Sequence, residues 1–427
     1  MTTTTTGLGV PTTFKDLGVP DDIVALLARQ GISEPFPIQA AVIRDALAGR
    51  DISGRAPTGS GKTLAFGIPM MMSVEHAKPK RPRGLVLAPT RELADQIQRE
   101  LAPLGKDRSR FIGAVYGGVG YGPQIQMMRR GIDVLVACPG RLLDLIEQRH
   151  IDLSQVEMVV VDEADRMGDM GFMPDVKKIL DMTRPDRRTW LFSATLDGAV
   201  AELTRRYQKD PVRHEVGEKS EDHGNARHFF WKVGPVDRFE HTASVISAEA
   251  PAIVFCRTRH ATDKVAKRLE QLGVRAEAIH GGRSQAQRTR ALKAFSDGRV
   301  WALVATDVAA RGIHVTGVAS VIHFDPADDA KAYLHRSGRT ARAGAPGVVL
   351  SMVTDDQTGM IRGLQRSIGM SAPLDTPNPA GLSTGGHKVT NTAPRGETGA
   401  ARRSPNRGGG GKGRSRTKAK SRHQYWG

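Results

Sequence analysis

The sequence contains little cysteine and no long apolar run. Its two cysteines, Cys138 and Cys256, lie far apart, and neither belongs to a Cys/His cluster with zinc spacing. A disulfide framework and a zinc module are therefore excluded, and we expect two free, buried or half-buried thiols in a reducing cytosol. The longest apolar stretch, at residues 66–74, contains Pro69 and is too short to span a bilayer. The first six residues lack a secretory-signal pattern, so we expect a cytoplasmic protein without a membrane partner.

Acidic residues are outnumbered by basic ones. The 427 residues include 62 Lys and Arg but only 45 Asp and Glu, a formal net charge of +17. Residues 371–427 alone contain eleven basic and two acidic residues. This surplus indicates a polyanionic partner, either nucleic acid or an acidic membrane face.

Short apolar segments alternate with segments of helical period, which predicts an α/β fold with parallel sheets covered on both faces. The predicted strands lie at 84–88, 133–137, 158–161, 189–192, 252–256, 301–305, 320–324 and 347–353. The predicted helices lie at 91–104, 140–148, 261–272 and 285–296. The length exceeds that of one ordinary core, so two domains are expected.

Changes in composition set the predicted domain boundaries. An N-terminal domain spans 14–212, a charged linker 213–224, and a C-terminal domain 225–370. Residues 1–13 and the Gly-, Arg- and Lys-rich tail 371–427 are predicted to be disordered, because they cannot bury enough apolar surface to fold. The second domain has no phosphate loop of its own, so a site shared between the domains is plausible.

The segment 56–63, APTGSGKT, is a predicted phosphate loop. Gly59 and Gly61 allow the backbone N–H groups to converge on one anion, and Lys62 would reach the β- and γ-phosphates. Thr63 would help to hold Mg²⁺ at the start of a helix. Ala56 replaces the usual first glycine, and the alternative is a Gly-rich turn. Thr58 and Ser60 complete the expected nucleotide-binding loop.

Asp162-Glu-Ala-Asp165 follows the apolar run at 158–161. Asp162 would position the metal through water, Glu163 would orient or deprotonate the attacking water, and Asp165 would tie the cluster to another element. The alternative is an acidic helix N-terminus, which the helix dipole favours. A phosphate loop followed by this cluster predicts an ATP- and Mg²⁺-dependent hydrolase.

With Ser193-Ala-Thr195 downstream, the order of these motifs resembles that of the DEAD-box RNA helicases of superfamily 2, of bacterial type, over residues 14–355. The resemblance implies two tandem RecA-like domains. It also implies that Ser193 and Thr195, together with Asp165 and His335, couple hydrolysis to RNA remodelling.

The same resemblance implies the remaining nucleotide contacts. Gln39, in the segment 31–39, would read the adenine edge, and Phe14 would stack on the base unless it only packs on the following helix. Phe36 replaces the family's usual Thr, a change that we expect to be tolerated. The C-terminal domain would supply Arg339 and Arg342 as arginine fingers and Arg311 to the interdomain network, unless these are surface charges. His314 replaces the family's usual Asp, which can bond the ATP ribose, so weaker or pH-sensitive nucleotide coupling is expected as a hypothesis.

RNA contacts are implied at motifs in both domains, in residue types that grip phosphates without reading bases. The N-terminal set is Pro89, Thr90, Arg91, Gly117, Gly118, Pro139, Gly140 and Arg141, and the C-terminal set is Arg257, Thr258, Gly281, Gly282, Gln285, Arg288 and Thr306. Cys138 replaces the family's Thr before Pro139, which puts one hydroxyl contact in question. The glycines at 117–122 do not have the spacing of a dinucleotide-binding fold.

The implied function is that of an RNA helicase, in which ATP and RNA close the two domains and the strand is bent. RNA would stimulate ATP hydrolysis, and short duplexes or ribonucleoprotein would be unwound or remodelled locally. Three alternatives remain open: an ATP-gated RNA clamp, an RNA chaperone or annealing protein, and a DNA helicase. We expect a monomer with possible ribosomal or RNA-decay partners, whose tail either tethers RNA or only solubilises the protein.

Overall fold

A computed structural model describes residues 13–57, 59–196, 198–216, 226–310, 315, 317–341, 345–383 and 386. Within these ranges the chain forms two parallel sheets of seven and six strands. No helix in these ranges has both the length and the apolar character needed to cross a membrane. The α/β fold class with two parallel-sheet domains is confirmed.

The first sheet has the strand order β3-β4-β2-β5-β6-β1-β7. Its strands are β1 (Ile52–Arg55), β2 (Gly84–Leu87), β3 (Ile112–Val115), β4 (Val134–Ala137), β5 (Met158–Val161), β6 (Arg188–Ser193) and β7 (Val212–Glu215). Its helices are α1 (Asp21–Arg29), α2 (Pro37–Leu47), α3 (Lys62–Ser73), α4 (Arg91–Asp107), α5 (Tyr121–Arg130), α6 (Pro139–Glu147), α7 (Ala164–Asp169), α8 (Met173–Asp181) and α9 (Gly198–Tyr207). Alternate residues of the central strands enter two separate apolar clusters, so both faces of the sheet are covered.

The second sheet has the strand order β10-β11-β9-β12-β13-β8. Its strands are β8 (Ala226–Lys232), β9 (Ala252–Phe255), β10 (Ala276–Ile279), β11 (Ala302–Ala305), β12 (Ser320–His323) and β13 (Gly347–Val353). Its helices are α10 (Arg238–Ala248), α11 (Arg259–Gln271), α12 (Gln285–Ser296), α13 (Asp307–Ala310), α14 (Ala330–Ser337) and α15 (Thr358–Ser367), with short 3₁₀ turns at Asp355–Gln357 and Pro379–Ser383. Two apolar clusters again cover the two faces.

Every predicted strand is present, but the sequence analysis missed several others. The missed strands β1, β3, β8 and β10 contain Gly, polar or charged residues that interrupt the apolar pattern, as in Ile52-Ser-Gly-Arg55. Both cysteines are free, Cys138 half-buried and Cys256 buried, as expected.

Two predicted boundaries are wrong. Residues 213–215, assigned to the linker, belong to β7, which pairs with β1 at the sheet edge. An edge strand needs only one apolar face, so its charged residues hid it. The tail was expected to begin at 371, yet Asp375 exchanges backbone hydrogen bonds with Phe230 and Lys232, and Leu382 is buried. The expected disorder of 1–13, of most of the linker and of the distal tail concerns residues that lie outside the described ranges, apart from Thr13.

A buried cluster of ring side chains supports α14. The Tyr333 hydroxyl lies 2.8 Å from Nδ1 of His228, and the ring of His323 lies 4.8 Å from that of Tyr333. All three side chains are fully buried. Burial holds the pKa of His323 well below its ordinary value of 6.5, and the charges of Arg336 and His228 add to this effect.

The low pKa of His323 predicts a loss of stability in acid. The folded protein keeps this imidazole neutral, whereas the unfolded chain takes up a proton below pH 6.5. The contribution of neutral His323 to the free energy of unfolding is therefore fully present above pH 6.5. Below that pH it declines by about 1.4 kcal/mol per pH unit. Denaturant unfolding of His323→Leu between pH 7 and 5 should show a smaller pH slope than the unmodified chain. The exposed-site control His260→Gln should keep the original slope, and an unchanged slope in His323→Leu would contradict the prediction.

Candidate nucleotide and RNA site

The phosphate loop connects β1 to α3. Gly59 and Gly61 adopt φ of +84° and +85°, a left-handed conformation that favours glycine, and Gly61 stands at the N-cap of α3. Nζ of Lys62 donates to the carbonyl oxygens of Ala56 at 3.0 Å and Pro57 at 3.2 Å, which closes the loop on itself. The curled backbone, the ammonium group and the N-terminus of a 12-residue helix are the elements of an anion site.

Asp162 follows β5 and is buried. Burial raises the pKa of this carboxyl to about 7; the charge of Lys62 opposes the rise, while Glu163 and Asp165 add to it. One of its oxygens accepts a hydrogen bond from the backbone N–H of Glu163 at 2.9 Å. A carboxylate in this position becomes favourable when a cation is close, which is the expected chemistry of a metal-positioning residue.

Glu163 is held in an unusual backbone conformation by a local ion pair. Its φ is +51°, and its carboxylate accepts from the guanidinium of Arg166 at 2.7 Å, with both side chains largely buried. A non-glycine residue in this region costs free energy, so the surrounding structure must hold it there. The pairing of Arg166 with Glu163 was not predicted from the sequence. The predicted role of Glu163 in activating water stays a prediction.

Ser193 joins the phosphate loop to the acidic cluster. Its carbonyl oxygen accepts from the backbone N–H of Ala56 at 3.1 Å, and its hydroxyl accepts from the backbone N–H of Asp165 at 3.1 Å. The contact arises because β6 lies between β5 and β1 in the sheet. Thr195, by contrast, is exposed. The coupling roles of these residues stay predictions.

The residue types near Asp162 are compatible with the predicted Mg²⁺. Among the residues that the structure describes, no group of three or more His, Cys, Asp or Glu side chains could hold a metal ion. Mg²⁺ is commonly held by one or two oxygen ligands of the protein together with substrate phosphates and water. The hydroxyl of Thr63, on the first turn of α3, and, through water, the carboxylate of Asp162 would be such ligands, and their role stays a prediction.

The segment expected to read the base contacts the phosphate loop directly. Nε2 of Gln39 donates to the carbonyl of Gly61 at 2.9 Å, and its Oε1 accepts from the backbone N–H of Phe36 at 2.9 Å. Gln39 is only 1% exposed. Phe14 is also 1% exposed and packs in the core, which agrees with the packing alternative. Its stacking on a base stays a prediction that requires this ring to move.

The motifs of the first domain that are predicted to contact RNA meet after β2, β3 and β4, and their contact with RNA stays a prediction. Thr90 caps α4 by accepting from the backbone N–H of Leu93, and Arg91 donates to the carbonyl of Gly117. Arg141, near the start of α6, donates to the carbonyl of Val119 at 3.1 Å and lies over the ring of Tyr121. The loop at 117–119 is therefore held by both arginines. Pro89 and Gly118 lie in the bend before α4 and the turn after β3, and Pro139 and Gly140 are the first two residues of α6.

The corresponding motifs of the second domain are held by acidic partners. His280 lies 3.0 Å from Asp263 and accepts from the backbone N–H of Gly282 at 3.1 Å. Arg257, with a half-exposed side chain, pairs with Asp328. Thr258 caps α11, Gly281 lies beside Arg259, and Thr306 is buried before α13. RNA contact by these residues stays a prediction.

A buried ion pair connects the two domains. Nε of Arg288 on α12 lies 2.6 Å from the carboxylate of Glu92 on α4, and the amide of Gln285 lies 3.5 Å from the same oxygen. The side chains of Arg288 and Glu92 are 3% and 7% exposed. Lys331 of α14 also pairs with Asp169 of α7. Arg288 and Gln285, predicted to face RNA, thus pair in this structure with a residue of the other domain that the sequence analysis did not consider.

Of the two predicted arginine fingers, the structure describes only Arg339, which follows α14. Arg339 is half-buried just after this helix, and His335 is half-buried within it. Arg342, Arg311, His314 and Thr58 lie outside the described residues. The neighbouring Arg336 makes a bidentate pair with Asp307, with both distances at 2.6 Å, and also donates to the carbonyl of Asp325. This arginine anchors α14 to α13, a role that its sequence position alone did not reveal.

Comparison with known proteins agrees with this arrangement. The DEAD/DEAH box helicase profile matches residues 36–203, and the helicase conserved C-terminal domain matches residues 237–344. The DEAD-box ATP-dependent RNA helicase CshA of Bacillus subtilis (strain 168) is 39% identical over 359 residues, covering 83% of this chain and 72% of that protein. The chain belongs to the DEAD-box ATP-dependent RNA helicases. It is therefore an ATP-hydrolysing enzyme of that family.

A second bacterial relative of this helicase matches over a similar length of the chain. CshA of Geobacillus kaustophilus (strain HTA426) is 38% identical over 358 residues, covering 83% of this chain and 76% of that protein. Among solved structures, S. cerevisiae Dbp5 bound to RNA and ADP BeF3 superposes with a TM-score of 0.73 at 25% identity, covering 85% of this chain and 95% of that chain.

The ion pair between Glu92 and Arg288 predicts a specific defect in domain closure. Arg288→Gln leaves the Glu92 carboxylate buried without its partner, at a cost of about 3 kcal/mol, or roughly a hundredfold in the closing equilibrium. Fluorescence energy transfer between one dye on each domain, in ATP and RNA, should show the loss of closure. The double variant Glu92→Gln, Arg288→Gln should recover part of it.

A matched control lies on the same helix. Arg290 is exposed, and Arg290→Gln should close like the unmodified chain. If Arg288→Gln instead weakens RNA binding equally with and without ATP, Arg288 acts on RNA rather than on closure.

Proposed function

We propose that this chain couples ATP hydrolysis to the local unwinding or remodelling of RNA. The observation that carries the proposal is the buried contact between α4 and α12, made by Glu92, Gln285 and Arg288. These residues belong to motifs implied to contact RNA, and the contact crosses between the domain with the phosphate loop and the domain with the arginine-bearing helix α14. The contact between α4 and α12 would bring the phosphate loop of the first domain and α14 of the second domain to one nucleotide.

The nucleotide would lie between the phosphate loop and α14. Lys62 would bind the β- and γ-phosphates, and Arg339 and Arg342 would approach the γ-phosphate from the other domain. Thr63 and, through water, Asp162 would hold Mg²⁺, which would neutralise phosphate charge. Glu163 would orient the attacking water once Arg166 yields part of its carboxylate.

RNA would be held through its backbone, without sequence preference. Support comes from the positions of Thr90, Gly117 and Thr258 at helix N-termini and a glycine turn, where backbone N–H groups are suited to phosphates. Dbp5, which superposes on this chain, is bound to RNA and ADP BeF3 in its structure. The bound RNA would be a single strand or a short duplex.

A lysine variant separates this function from the alternatives. Lys62→Ala removes the ammonium from the phosphate loop, so RNA-stimulated phosphate release should fall at least a hundredfold and strand separation should be lost with it. Phosphate release and the unwinding of a short labelled RNA duplex measure the two effects. An RNA chaperone would retain strand remodelling in this variant. A clamp would hydrolyse ATP slowly and hold RNA without separating strands, and a DNA helicase would respond to DNA as well as to RNA.

The basic segment after residue 386 would tether RNA. Residues 387–427 contain eleven Lys and Arg and one Glu. Such a segment binds polyanions in a salt-dependent way. We further propose a monomer in the cytoplasm, with ribosomal or RNA-decay complexes as partners, on the basis of the family and of the charge.

Truncation tests the tether, and the structure determines where to cut. A chain ending at Gly386 keeps the packed residues 371–383, whereas one ending at 370 removes Leu382 from the core. The chain 1–386 should lose about tenfold or more in RNA affinity at 50 mM salt and show a shallower salt slope, with basal ATPase activity unchanged. Equal affinity of the two chains at low salt would leave only a solubilising role for the tail.

A further inference from the structure

Phe36 is an exposed aromatic ring beside the phosphate loop. It is 57% exposed, although most large apolar side chains near it are buried. A Cβ atom on Gly61 would come within 2.5 Å of Cδ2 of Phe36 and of Nε2 of Gln39. The ring edge and the Gln39 amide therefore both lie against the α-carbon of Gly61, where α3 begins.

The residues expected to contact the base have almost no free surface in this structure. Phe14 and Gln39 are each 1% exposed. The Gln39 amide is also engaged at both ends, by the carbonyl of Gly61 and the backbone N–H of Phe36. Phe36 therefore supplies the exposed apolar surface beside the phosphate loop that a base would contact. A nucleotide with its phosphates at Gly61 and Lys62 has its ribose and base within reach of this ring.

The side chain of Phe36 contributes nothing to capping its helix. It occupies the N-cap of α2 in extended conformation and makes no side-chain cap bond, whereas Ser, Thr, Asp or Asn at an N-cap accepts from the first turn. An apolar, exposed residue at the N-cap leaves the helix less stable than a capping Ser, Thr, Asp or Asn would. Such a residue suggests a function for the ring itself.

We propose that Phe36 is a nucleotide-contacting residue whose ring packs on the base or ribose of bound ATP. The proposal rests on the proposed function, because it places the nucleotide at the phosphate loop. Every base has an aromatic face, so stacking on Phe36 gives affinity without choosing among bases. The chain should then accept GTP more readily than a chain with Thr at this position, in which selection depends on the Gln39 amide alone.

The test uses the full chain and equilibrium titration with fluorescent ATP and GTP analogues labelled on the ribose. Phe36→Ala and Phe36→Thr should each weaken both nucleotides about fivefold or more. Phe36→Thr should weaken GTP more than ATP, and Phe36→Tyr should stay within about twofold of the unmodified chain for both. Phe36→Thr should also raise the melting temperature, since Thr restores the cap. Weaker binding in a more stable protein excludes a merely structural role for the ring.

Phe111 provides the matched control, because it is 70% exposed in the same domain and lies outside the site. Phe111→Ala should bind both nucleotides like the unmodified chain. If Phe36→Ala retains full affinity for ATP and GTP, the proposal for Phe36 is wrong while the proposed function stands. If the unmodified chain binds neither nucleotide, both are wrong.

Discussion

The buried ion pair between Glu92 and Arg288 is the interaction on which the account of the site depends. Each domain carries only part of the chemistry: the phosphate loop and the acidic cluster lie on the first sheet, and α14 lies on the second. A charge pair buried between α4 and α12 is favourable only while both partners are present in the correct geometry. The contact between α4 and α12 is therefore sensitive to small displacements of either domain.

Within the first domain, Ser193 connects the phosphate loop to the acidic cluster. Ser193 lies in β6, between the strand that precedes the phosphate loop and the strand that precedes the acidic cluster, and it bonds to both segments. The predicted coupling of hydrolysis to movement of α7 would pass through these two hydrogen bonds. Asp169 at the end of α7 pairs with Lys331 of the second domain, which extends this path to α14.

Local chemistry made much of the site predictable from the sequence. The glycines at 59 and 61 must permit positive φ, and Asp162 must follow an apolar strand, so both features are visible in short segments. Contacts between distant segments were not visible. Glu92 and Arg288 are 196 residues apart, and nothing in either local pattern identifies the other as its partner. The strand β7 and the packed segment around Asp375 were missed because edge pairing depends on backbone hydrogen bonds rather than on apolar side chains.

The most direct test of the account is a crystal structure of the chain with a nonhydrolysable ATP analogue, Mg²⁺ and a single-stranded oligoribonucleotide. We expect Lys62 from one domain and Arg339 from the other both to contact the phosphates, with the Glu92 to Arg288 pair intact. Phosphates bound by Lys62 alone, with Arg339 directed into bulk solvent, would contradict this expectation.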